Sequence, residues 1–105
     1  GLGDVYKRQD YAYAFQMFLE KKGKELEGDV IVLILGDGRN NYRASGEEAL
    51  MLISNKVRQV HWLNPESSEN WGQGDSAMHV YQKHLASVVE CRNLRQLQRF
   101  VAQMV

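Results

Sequence analysis

Asp37 stands at the end of an apolar run, between Gly36 and Gly38, and its type and place suit chemistry better than any other residue here. A carboxylate directly after a buried strand can offer oxygen to a hard cation such as Mg²⁺, directly or through water. The plainer reading is a turn aspartate bonding its own backbone, common beside glycine. Arg39, Asn40 and Asn41 follow in the same loop; they could line a partner surface or only satisfy a solvated turn. A second polar loop runs from Asn64-Pro65-Glu66 to Trp71-Gly72-Gln73-Gly74-Asp75. Its Trp71 is either an exposed anchor for a partner or a lid folded back over the sheet edge. Arg39, Asn40, Asn41, Asn64, Trp71 and Asp75 are therefore the candidate partner-binding residues, with Asp37 the candidate metal ligand.

Other reactive side chains assemble nothing comparable. His79 and His84 are five positions apart, which does not set them on one helix face as zinc ligands four apart would be. His61 lies alone on a strand pattern. Cys91 has no second cysteine and reads as an inert buried thiol. No glycine-rich phosphate loop and no nucleophile elbow is present. Nothing among these residues assembles an acid, a base and a nucleophile.

The elements that must position Asp37 alternate between helix and strand. Asp10 can cap a helix with Tyr11, Ala14, Phe15, Phe18 and Leu19 on one face, ended by Gly23 and Gly28. Val30–Leu35 is a continuous aliphatic run, the composition of a strand buried on both faces of a parallel sheet. Ser45 with Glu48 reads as a capping box opening a helix with Ala49, Leu52, Ile53 and Lys56. Val57–Leu63 is a second strand, stopped by Asn64-Pro65. Asp75 or Ser76 caps a short helix with Met78, Tyr81 and Leu85; a third strand spans Ser87–Cys91. Asn93 caps a last helix with Leu94, Leu97, Phe100, Val101 and Met104 on one side. Met51, Met78 and Met104 fall where helices need core filler. This order predicts an α/β fold with a parallel sheet, whose ligands bind beyond the carboxyl ends of the strands. Both polar loops lie at that edge.

With 105 residues the chain holds one domain at most, and Lys+Arg 13 balances Asp+Glu 13. That balance gives no global basic field to draw nucleic acid or an anionic membrane. No apolar run approaches the roughly 18–20 residues of a membrane span, and the default location is the cytoplasm.

Two stretches together carry a resemblance. Val32–Asn41 with Val60–Glu66, continuing through Trp71-Gly72-Gln73-Gly74-Asp75-Ser76-Ala77-Met78 and Tyr81 to Glu90–Leu94, Leu97 and Phe100, resemble the CoxE-like branch of von Willebrand factor A domains. The resemblance implies a Rossmann-like parallel sheet with flanking helices and a metal-ion-dependent adhesion site at its carboxyl edge. It implies a protein-binding module and not an enzyme, with a bound Mg²⁺ or similar ion, a partner carboxylate completing the ion's shell, and a MoxR-type AAA+ ATPase as partner. The family's site joins an Asp-x-Ser-x-Ser loop, a threonine and an aspartate after the fourth strand. Asp37 matches that aspartate; the serine-containing loop is not found, and the sequence contains no threonine.

The first nine residues read differently from the rest. Asp4-Val5-Tyr6-Lys7-Arg8-Gln9 matches the in-frame translation of a transposase adapter, so residues 1–9 read as a non-native scar. Residues 10–105 are then expected to be the C-terminal half of the domain, about three strands. The alternative is a Mg²⁺-dependent phosphate- or nucleotide-handling enzyme of Rossmann-like fold, its anion-cradling loop lying upstream.

Overall fold

The computed structural model describes residues 10–26 and 28–104. The scar reading of residues 1–9 lies outside the described residues. Helix α1 spans Tyr11–Lys22, and Asp10 caps it as expected, Oδ1 accepting from the Tyr13 amide at 3.1 Å. A single 3-10 turn, Gly23–Glu25, leads towards strand β1, Ile31–Leu35. Helix α2 (Glu47–Lys56), strand β2 (Gln59–Asn64), the short helix α3 (Met78–Tyr81), strand β3 (Ser87–Glu90) and helix α4 (Leu94–Met104) follow. Among the described residues the sheet is three-stranded and parallel, in the order β1-β2-β3.

Register and side-chain alternation decide what each face meets. Ile34 pairs with Trp62 and Trp62 with Val88, so these three point to one side. There they join Phe15 of α1, Leu50 and Ile53 of α2, and Met78 and Tyr81 of α3 in the core. The centre of this core is aromatic. Trp62 stacks on Tyr81 at 4.9 Å and 14°, while Phe15 meets both edge-on at 6.2 and 5.6 Å. Offset and edge-to-face pairs of this kind add to burial. On the opposite side His61 pairs in register with Ser87, and Phe100 of α4 lies T-shaped against its ring at 5.4 Å.

Several expectations need correction. β1 is not buried on both faces: Ile31, Leu33 and Leu35 are 36, 37 and 59% exposed, and among the described residues β1 is an edge strand. The strand enclosed on both sides is β2, where every residue from Val60 to Asn64 is buried. Ser45 is not the capping residue of α2. Gly46, at φ 76°, precedes the helix, and the Ser45 hydroxyl accepts from the Glu47 amide instead. The inward face of α2 is Ala49, Leu50 and Ile53, whereas Leu52 and Met51 are 49 and 40% exposed. Packing between α1 and the sheet, not the Leu52 spacing, chose that face. Asn93 does cap α4, Oδ1 accepting from the Gln96 amide at 2.9 Å.

Candidate functional site

The carboxyl end of β1 is held from three directions. The Trp62 indole donates to the Gly36 carbonyl at 2.8 Å, and the Gly36 amide donates to the Leu63 carbonyl at 3.1 Å. Asn64 donates through Nδ2 to the Asp37 carbonyl at 3.1 Å and accepts from the Glu66 amide at 2.8 Å. From the helix side, the Tyr11 hydroxyl donates to Asp37 Oδ1 at 3.3 Å and accepts from the Gly38 amide at 3.1 Å. Burial pushes the Tyr11 phenol up to about 12, and the neighbouring Asp37 carboxylate adds to the rise. The phenol therefore stays a proton donor at any physiological pH. Asp37 Oδ1 also accepts from the Arg39 amide at 2.9 Å, which is the turn-forming role expected of an aspartate before glycine. Both flanking glycines are required. A side chain at Gly36 would meet the Tyr11 hydroxyl, and Gly38, at φ 75°, lies over the Met78 sulfur.

A second set of contacts binds the two loops together. Arg39 forks onto Glu66, Nε to Oε2 at 2.7 Å and Nη2 to Oε1 at 2.8 Å, and reaches Asp75 Oδ1 from Nη1 at 2.9 Å. Its Nη1 also donates to the Gln73 carbonyl at 3.0 Å. A planar fork suits this bidentate geometry as a lysine would not. The backbones join beside it. Arg39 forms an antiparallel bridge with Ser76, and the Ala77 amide donates to the Gly38 carbonyl at 2.8 Å. Asp75 accepts from the Asn41 amide through Oδ2 at 2.9 Å. The Arg39 hydrogen bonds hold both the Glu66 and Asp75 carboxyls below the usual carboxylate range.

These contacts place each candidate residue. Arg39 is committed within the fold, with its side chain only 25% exposed. Asn40 and Asn64 are 3 and 0% exposed, so they shape the loops from inside. Trp71 is half-buried and donates from Nε1 to the Glu66 carbonyl at 3.1 Å, the folded-back alternative. Asp75 works mainly as an acceptor for Arg39 and Asn41. Asn41 remains exposed. Two residues escaped the sequence reading. Tyr11 touches Asp37 across 26 positions, a separation that leaves no local signal, and Tyr42 projects outward, 79% exposed.

Asp37 is one oxygen donor at this edge and not a full coordination shell. Among the described residues no group of three His, Cys, Asp or Glu side chains is placed to hold a metal ion.

Comparison with known proteins agrees with this architecture. A family model described as "VWA domain containing CoxE-like protein" matches residues 4–100. Searches of curated proteins and of solved structures found no match. Von Willebrand factor A domains generally mediate protein–protein interaction and are generally not enzymes. The parallel sheet, the aspartate after its first strand and the span of the match place this chain in the CoxE-like family of von Willebrand factor A domains.

Proposed function

We propose that the carboxyl edge is a metal-ion-dependent protein-binding surface, in which Asp37 gives one oxygen ligand to Mg²⁺ or a similar ion. The observation that supports this reading is the placement of Asp37. Its backbone is fixed by Asn64 and its carboxylate oriented by Tyr11 and the Arg39 amide, at the strand ends where α/β folds bind ligands. A preorganised carboxylate costs little further ordering when it meets a cation. The other donors come from polypeptide outside the described residues. We read residues 10–105 as the C-terminal half of the domain, with the edge of β1 that no described strand pairs as the place where the other half pairs.

The ion supplies a positive centre that a partner carboxylate completes. By family resemblance the partner is a MoxR-type AAA+ ATPase, and the pair serves in remodelling or maturation of another protein. The test is binding of the purified ATPase with Mg²⁺ and with a chelator, for the wild type and Asp37→Asn. Binding lost both on chelation and in the variant is the expected result. Binding that ignores both would remove the metal from the account.

A further inference from the structure

Helix α4 packs on the face of the sheet opposite the aromatic core, and Phe100, seated on His61, is its one buried residue among those described. At about 100° per residue, Leu94, Gln98, Val101 and Ala102 fall on a different face of the helix. All four are exposed, Leu94 at 67% and Val101 at 43%. Arg95 and Arg99 run beside this strip, four positions apart and also exposed. A single exposed leucine or valine means little. Here two share a strip of about 12 Å, the length of eight helical residues, beside a parallel row of cations.

The fold makes no use of those cations. Among the described residues no ion pair involves Arg95 or Arg99. Residues 91–104 contain no Asp or Glu. A helix face that meets only water gains from glutamates interleaved at the i,i+4 spacing, and the sequence supplies none. The chain as a whole balances Lys+Arg 13 against Asp+Glu 13, so the positive field is local to this helix. Such a field draws an anionic partner, and the apolar strip beside it asks for apolar cover. A helix lying in a lipid interface needs bulky apolar side chains along a broad face; the outer strip of α4 offers two, which favours a protein segment over a membrane.

We infer that the strip from Leu94 to Val101, with Arg95 and Arg99 beside it, docks an acidic amphipathic helix of a protein partner. Aliphatic side chains of that helix cover the strip while its Glu or Asp side chains meet the two guanidiniums. Apolar seams with flanking charges set partner choice between helices in this way. The surface does not involve Asp37 and needs no metal ion.

The experiment selects random helical peptides on the wild-type chain, with a chelator present throughout. The winners are then measured against two double variants, Arg95→Glu with Arg99→Glu and Leu94→Ser with Val101→Ser. All four positions are exposed, so both variants should keep the wild-type melting temperature to within a few degrees, about the effect of surface changes. Expected are winners with Leu or Ile at helical spacing flanked by Glu or Asp. They should bind the glutamate variant about ten-fold more weakly and the serine variant about five-fold more weakly. Winners remade with Lys in place of Glu should recover binding on the glutamate variant. Winners lacking acidic residues, no winners at all, equal binding to either variant, or no recovery on charge exchange would each overturn the inference. Co-sedimentation with phosphatidylserine vesicles that the glutamate variant abolishes would assign the row to a membrane surface and overturn it as well.

Discussion

The loop after β1 and the exposed face of β1 show how differently neighbouring parts of one strand can be finished. At its carboxyl end, Asp37 and the following loop are held by an indole, a phenol, an asparagine amide and a forked arginine. Along its outer edge and lower face, Ile31, Leu33 and Leu35 are exposed, and among the described residues no strand pairs beside them. One region is tied by many directional contacts, and the other has less cover than an aliphatic strand normally receives. Under the proposed function the tied loop is the rigid binding surface, and the exposed aliphatic face is one that a further element covers.

The contrast can be broken most severely from beneath the loop. Trp62→Ala removes the fully buried ring that stacks on Tyr81 and holds Gly36. A loss of about 3–5 kcal/mol is expected, read by denaturant unfolding, and the chain should be largely unfolded in buffer. Next in size is Arg39→Ala, which leaves Glu66 and Asp75 facing each other without their shared cation. A loss smaller than that of Trp62→Ala is expected, read by the same unfolding. Because both carboxyls sit below their unfolded values, the clasp contributes fully above roughly pH 4–5 and is lost as the pH falls through the depressed folded values. The variant should therefore show a flatter acid limb in a plot of melting temperature against pH.

His61 gives a smaller effect in another window. Its ring is buried against Phe100, with Nδ1 2.6 Å from the Ser87 hydroxyl and Nε2 3.0 Å from Gln59 Oε1. Burial lowers its pKa below the ordinary 6.5, so the neutral ring is the folded form. The unfolded chain then binds the extra proton first, and stability falls as the pH drops below about 6.5. His61→Phe should remove that slope while leaving the clasp's acid limb in place. The smallest effect belongs to the uncovered face. Leu33→Ser with Leu35→Ser should change unfolding free energy by less than about 0.5 kcal/mol each, yet reduce self-association in light scattering. A large loss there would mean that the face is already covered and would weaken the contrast.

The same division explains what was legible in the sequence. Apolar runs bounded by glycine and proline gave away the strands, and Asp10 and Asn93 announced their helices, because those signals are local. Asp37 was placed by the general rule that ligands meet the carboxyl ends of parallel strands. The partners of Arg39 were not legible, since Glu66 and Asp75 stand 27 and 36 positions away. The reach of Tyr11 to Asp37 has the same cause. Leu50 replaced Leu52 in the core because tertiary packing, and not spacing alone, chose the face of α2. The left-handed backbone of Tyr42, at φ 61°, was invisible because a tyrosine carries no sequence signal for it.

The most direct test of the account is a Mn²⁺ titration followed by broadening of backbone amide signals. Broadening centred on Gly36–Asn40 in the wild type, and absent from Asp37→Asn, is the predicted result. Broadening spread over scattered surface carboxylates, or unchanged by the substitution, would contradict the claim that Asp37 marks a metal-dependent binding edge.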